Sequence, residues 1–209
     1  MNQLAYLLIG EGSSDEALLH VLTWMIEQHT SRPIRPLWPD FATLGRPPTL
    51  EGRIQHALAL YPCDLLFVHR DADKSPREER VAEIRTALAN SAPENLPAVC
   101  VIPVRMTEAW LLIDEAALRT AAGAPKGRQD LVLPTVRELE NLGDPKLLLG
   151  ELIRAASGLQ GRRLKRLKRQ TTITRLAELI DDFSALRQLS AFQALEADFL
   201  KVMTEKDRL

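Results

Sequence analysis

Runs of apolar and polar positions divide the chain into two stretches of different character. Leu4 to Ile9, LAYLLI, is apolar without alternation, the pattern of a strand covered on both faces. GEGSSDE follows, and Ser13 to Glu16 fits a capping box, so a helix is expected from about Asp15 through ALLHVLTWMIEQH. Ile34 to Leu37 predicts a short second strand. PDFATLGRPP, with its glycine and three prolines, predicts a loop, and Thr49 is placed to cap a helix through GRIQHALAL. Asp64 to His69 reads as a third strand. Ser75 to Glu78 fits a second capping box, with Pro76 at the favoured first position of the helix REERVAEIRTALAN. Ala98 to Val104 predicts a fourth strand, and Thr107 is expected to cap one helix, EAWLLIDEAALRTAAG.

Strand and helix alternate four times, which predicts an α/β fold: a mostly parallel sheet with helices on both faces. After about residue 122 the pattern changes. GAPKGRQDLVLP has the look of a linker, and three helical segments follow, Asp144 to Ser157, Arg162 to Phe183 and Ser190 to Thr204. The expected division is an α/β core over 1–122 and a helical extension over 123–209, packed on that core. Trp24, Trp110, Phe183, Phe192 and Phe199 fall at helical spacings among aliphatics and are expected in the core. Phe192, Leu195 and Phe199 share one helix face that would dock the last helix.

Composition narrows this picture without redirecting it. With 209 residues, 45% hydrophobic and 26% charged, the chain is not disordered as a whole, and a net charge of −1 leaves nucleic-acid binding to local patches. Cys63 and Cys100 sit at or inside apolar stretches and read as core thiols of a reducing compartment. LAYLLIG is short for a signal segment and lacks a basic flank. No run approaches the roughly 20 apolar residues of a membrane span, so the expectation is a cytoplasmic protein with no membrane partner.

The candidate chemistry lies at strand ends, where open parallel sheets place their ligands. The third strand runs into FVHRDADKS, which puts Asp71 and Asp73 within about 7 Å of each other along the chain. The first strand ends at Gly10-Glu11-Gly12, and the fourth is followed by Arg105 and Glu108. Carboxylates brought together repel and need a cation or a shared proton. Hard oxygen ligands suit Mg²⁺ or Mn²⁺. The glycines beside Glu11 fit a tight turn open to a metal or phosphate, and Arg70, Lys74 and Arg105 supply cations for phosphate. Each acid also has an ordinary explanation. Asp73 would suit a loop or a helix cap, Asp71 an ion pair with Arg70, and Glu108 the dipole of a helix start. Glu16 and Glu78 are assigned to capping alone. His69, the histidine nearest the acids, is a candidate for a supporting position behind the metal ligands.

Several motifs are excluded. HRD lacks the downstream Asn, DFG and strand lysine of a kinase. GEG lacks the third glycine of a dinucleotide fingerprint, since Asp15 stands there, and no P-loop is present.

In order and spacing, GEGSSDEALLHVL, DLLFVHRDADK and VIPVRMTEAWLLID resemble the Toprim domain of topoisomerases, bacterial primases and overcoming-lysogenization-defect nucleases. More narrowly, these stretches resemble a bacterial family of small Toprim-like proteins. Asp144-Pro145-Lys146 is similar to a later part of that family's pattern, and the resemblance covers residues 4 to about 150. It implies a Toprim-like, Rossmann-like sheet and divalent-metal chemistry on nucleic acid. Glu11 would match the Toprim glutamate, Asp71 and Asp73 the D-x-D, and Glu108 the extra acid of the nuclease branch. Lys146 would join the catalytic set. No tyrosine stands near these motifs as a topoisomerase nucleophile, and the other domains of a topoisomerase or primase are missing from the chain.

GRRLKRLKR, Gly161 to Arg169, carries six basic residues in nine. Leu164 and Leu167 would give it a narrow apolar face, leaving Arg162, Arg163, Lys165 and Arg166 to grip a phosphate backbone without reading sequence, or to pair with nearby acids. Aromatics are sparse there, so base stacking is not indicated for this tract. Three functions follow from the sequence. The first is a Mg²⁺- or Mn²⁺-dependent nuclease or related phosphodiester-processing enzyme, with DNA preferred to RNA as partner. The second is a non-catalytic Toprim-like module that binds nucleic acid or a separate protein such as an ATPase. The third is a metal-dependent small-nucleotide phosphohydrolase.

Overall fold

In the computed structural model, which describes residues 3–73 and 75–205, four strands form one all-parallel sheet. They are β1 (Leu4–Ile9), β2 (Ile34–Leu37), β3 (Leu65–His69) and β4 (Ala98–Val101), in the spatial order β2-β1-β3-β4. The helices are, in chain order, α1 (Leu18–Glu27), α2 (Phe41–Leu44), α3 (Leu50–Leu60), α4 (Arg77–Ser91), α5 (Glu115–Ala121), α6 (Pro145–Ser157), α7 (Gly161–Lys165), α8 (Arg169–Leu179) and α9 (Ser190–Thr204).

Both faces of the sheet are covered, which is why β1, β3 and β4 read as apolar runs. Leu7 and Ile9 of β1, with Leu66, Val68 and Cys100, pack beneath Ile54 and Ala57 of α3 and Ile84 and Ala87 of α4. Leu4, Tyr6 and Leu8, with Leu65, Phe67, Val99 and Val101, face α1 and the C-terminal helices. Side chains from both sides of residue 122 share this second cluster. Phe199 stacks on Phe67 at 6.4 Å, and Phe192 meets Trp110 edge-on at 5.7 Å. Phe192, Leu195 and Phe199 are all buried, so α9 docks through the face its spacing predicted. Cys63 is half-buried and Cys100 buried, both as free thiols. Among the described residues, no helix is long and apolar enough to cross a membrane.

Five local expectations need correction. The first capping arrangement begins one residue early: Gly12 precedes a short 3-10 helix, Ser13–Ala17, and Asp15 rather than Glu16 turns back to the loop. Pro76 precedes α4 instead of opening it, and no side chain caps that helix. The helix expected after Thr107 is split into a 3-10 turn, Thr107–Leu111, and α5, because Asp114 caps a new start by accepting from Ala117 N at 2.9 Å. The helix expected over Arg162 to Phe183 breaks after Lys165. The like charges of Arg162 and Arg166, four apart, oppose its continuation. β4 also stops at Val101, short of Pro103, which has no N–H to donate.

Candidate functional site

The sheet order reverses direction at β1, since β2 lies on one side of it and β3 on the other. Ligands of open α/β sheets occupy the crevice at such a switch point, beyond the carboxyl ends of the two central strands. Ile9 is level with Val68, so the loops after β1 and β3 emerge side by side. The loop after β3 is fastened to the chain beyond β4: Arg70 N donates to Val101 O at 3.1 Å, Ala72 N to Pro103 O at 3.1 Å, and Asp73 N to Arg105 O at 3.3 Å.

Glu11, His69 and Asp71 meet in this crevice, with one ligand atom from each within 4.8 Å of the others. Glu11 uses both carboxylate oxygens. Oε1 pairs with Arg70 Nη1, and Oε2 accepts from Asp71 N at 3.1 Å. Arg70 reaches on to Glu83 of α4, which also accepts from Arg80 at 3.0 Å. Burial of Glu83 is outweighed by these two arginines, which hold its carboxyl below the usual range. Arg70 is thereby committed to acids.

Asp15 organises the loop after β1. Its Oδ2 accepts from Glu11 N at 2.6 Å and Gly12 N at 2.9 Å, and lies 3.6 Å from His69 Nε2. His69 is fully buried. Its Nδ1 lies 3.1 Å from Val101 O, which only a protonated nitrogen can use, while Nε2 faces Thr107 Oγ1 at 3.3 Å and Asp71 Oδ1 at 3.4 Å. Burial pushes His69 down, but Asp71 and Asp15 outweigh it and raise it to about 9. The two carboxylates thus favour the charged ring, which would help offset them.

Among the described residues, two buried carboxylate oxygens here, Asp71 Oδ1 and Glu108 Oε1, accept no well-formed hydrogen bond, although His69 Nε2 lies 3.4 Å from the former. Glu108 is 4% exposed, with Lys146 Nζ 3.9 Å away. Burial raises its pKa, and Asp71 and Asp15 raise it further. Orphaned buried carboxylate oxygens are costly unless a cation or proton serves them. The donor set therefore fits a divalent ion: oxygens alone for Mg²⁺, with His69 Nε2 added for Mn²⁺ if it gives up its proton.

Asp73 turns elsewhere. It adopts left-handed backbone, φ 53°, and its exposed carboxylate lies 3.9 Å from Arg80 Nη2. Two residues apart in extended chain, the aspartates would share one side; the left-handed turn separates them. Arg105 is half-buried and lends its backbone carbonyl to Asp73. Lys74 lies outside the described residues. Arg162, Arg163, Lys165 and Arg166 are exposed, and none forms an ion pair with an acid among the described residues. Their tract leads into α8, which packs on Ser13–Ala17, and Gln170 Nε2 donates to Ser13 O at 3.1 Å. The basic tract therefore continues into a helix fastened at the rim of the site.

Sequence reasoning missed Asp15, Arg46 and Arg53. Arg53 is buried under the loop and donates to Gly10 O at 3.0 Å. Burial lowers its pKa first, and Arg46 and Arg70 lower it further, so three guanidinium groups surround the Glu11 loop. Asp15 had a local signal, an acid three residues after a glycine cap. The arginines had none, since α3 and the loop before it reach the site only through the fold.

Gly10 is demanded by space rather than by backbone angle. A Cβ there would lie 2.8 Å from the Trp38 ring and 2.9 Å from Asp15 Oδ2, whereas at Gly12 it would meet nothing within 4 Å. Gly10→Ala is expected to destabilise the protein by about 2 kcal/mol, as overpacking does, and Gly12→Ala by less. Urea denaturation of the two variants checks the order.

Compared with known protein families, curated proteins and solved structures, the chain has no significant match in any of the three.

Proposed function

We propose that the protein is a divalent-metal-dependent phosphodiester-processing enzyme of the Toprim type, acting on nucleic acid. The observation that carries this reading is the meeting of Glu11 and Asp71 at the switch-point crevice, where ligand atoms of Glu11, His69 and Asp71 lie within 4.8 Å of one another, with the buried Glu108 close enough to Asp71 for the two carboxylates to repel. Glu11 and Asp71 are the residues that would hold Mg²⁺ or Mn²⁺. Bound there, the ion would supply an activated water and charge stabilisation for a leaving oxygen. His69 orients Asp71, and Asp15 holds the Glu11 backbone in place. Arg46 and Lys146 supply positive charge to a phosphate at the rim. Asp73 stays with Arg80.

A non-catalytic binding module is the second reading, favoured by one observation: Glu11 already has partners for both of its carboxylate oxygens. Incubation with supercoiled plasmid separates the two. Nicking that needs Mg²⁺ or Mn²⁺ and stops on chelation supports the enzyme. Retained binding with no turnover in either metal supports the module.

The exposed basic tract makes a further expectation. If Arg162, Arg163, Lys165 and Arg166 contact phosphates, DNA affinity should fall steeply with salt. Replacing all four by alanine should flatten the plot of log affinity against log salt by about 3 to 4, at roughly 0.9 per contact. An unchanged slope removes the tract from the interface.

A further inference from the structure

At Glu11 lies a cavity of about 270 Å³ lined by Gly10–Ser13, Trp38, Asp40, Phe41 and Arg46. Trp38 and Phe41 are half-buried, so each keeps ring surface toward open space. Both are held in place. The Trp38 ring rests on Gly10, where no Cβ would fit, and Phe41 lies 6.4 Å from the His56 ring. Arg46 is exposed at the cavity wall, close enough to Arg53 to depress it. Aromatic walls, a guanidinium at the edge and the Glu11 and Asp40 carboxylates at the lining form an unusual combination. It suits a flat ring joined to a phosphate.

We propose that this cavity takes a single unstacked nucleobase, which places the phosphate of that nucleotide at Glu11 and Asp71. The inference rests on reading the acid cluster as a phosphate-processing site, and it names the substrate class of that site. The volume falls just under the usual range of about 300–1,000 Å³ for small-molecule pockets. It admits one ring system and excludes a base pair. A base must therefore come out of the duplex stack, or belong to a single strand or free nucleotide. Stacking on aromatic side chains tolerates every base, so the pocket selects unpaired substrate without selecting sequence.

Binding in EDTA tests the cavity without turnover. Fluorescence anisotropy would compare a dye-labelled single strand with an abasic strand of equal length and charge. The wild type is expected to prefer the base-bearing strand by about five- to a hundredfold, the range of one base stacked on an aromatic ring. Trp38→Ala and Phe41→Leu should each shrink that preference and leave abasic affinity unchanged, while Trp38→Phe restores most of it. Phe41→Leu and Trp38→Phe keep the test valid if Trp38→Ala fails to fold. Competition by a nucleoside monophosphate as strong as that of the strand assigns the pocket to free nucleotides; competition by the strand alone assigns it to single-stranded nucleic acid. Equal affinity for base-bearing and abasic strands, a preference that survives both Trp38→Ala and Phe41→Leu at full size (Phe41→Leu alone if Trp38→Ala does not fold), or no binding of strand or nucleotide would overturn the proposal. Metal-dependent cleavage is read separately, so a base preference without cleavage, or cleavage without a base preference, shows which of the two readings failed.

Discussion

Asp71→Asn is expected to lower Mg²⁺-dependent cleavage by at least about a hundredfold while leaving the protein folded. Asparagine has the same shape, so it can keep the contact with His69 and the backbone path after β3. It lacks the charge that a divalent ion requires. A hundredfold loss corresponds to about 2.7 kcal/mol of transition-state stabilisation, modest for removal of a metal-holding carboxylate. The backbone N–H of residue 71 still donates to Glu11 Oε2, so the neighbouring acid should stay in place. Plasmid nicking at matched protein concentration gives the rate, and a thermal melt shows whether the fold survives. Activity within threefold of wild type in a folded variant would remove Asp71 from the reaction. Asp73→Asn is the informative companion. Its carboxylate lies at Arg80, outside the Glu11–His69–Asp71 group, so its loss should cost far less.

That contrast shows where the sequence was legible. Leu4–Ile9 could be read to the residue, because a strand buried on both faces leaves an unbroken apolar run. Thr49 announced α3, since a cap is a local device: its hydroxyl accepts from Gly52 N at 3.1 Å. Glu11 and Asp71 could be paired because parallel strands deliver their ends to one rim. What escaped was decided by less local facts. The left-handed turn at Asp73 separated two carboxylates that alternation would have kept together. Asp114 competed for a helix start and divided what looked like one helix. Trp38 looked like one more apolar residue near a loop, yet its ring over Gly10 helps make a cavity. His69 was visible as the nearest histidine. Its charge depends on Asp15, which lies fifty-four positions earlier and reaches it only through the switch point.

Asp15→Ala should cause the largest loss of stability, about 3–5 kcal/mol. The carboxylate serves two part-buried backbone N–H groups at the turn after β1, and an unserved donor costs up to about 1–3 kcal/mol when buried, less where water reaches it. It also stands beside a fully buried His69 whose charged form it favours, and removing one partner of a buried ion pair costs several kcal/mol. Relief of repulsion works the other way, because Glu11 and Asp71 are close. It is the smaller effect, since His69, Arg53 and Arg70 already face these acids and would be left with too little negative charge. Against a total stability of order 5–15 kcal/mol, the variant should melt roughly 10 °C lower. Asp15→Asn keeps an acceptor oxygen for the two N–H groups and loses only the charge, so it should fall between wild type and alanine. His69→Leu provides the control, because with the buried cation gone Asp15→Ala should cost clearly less than it does alone. Urea denaturation of the four proteins would show it. A loss under about 1 kcal/mol for Asp15→Ala, or strict additivity with His69→Leu, would mean that the Glu11 loop is held by its packing against Trp38 and Arg53, and that the histidine owes its charge to Asp71 alone.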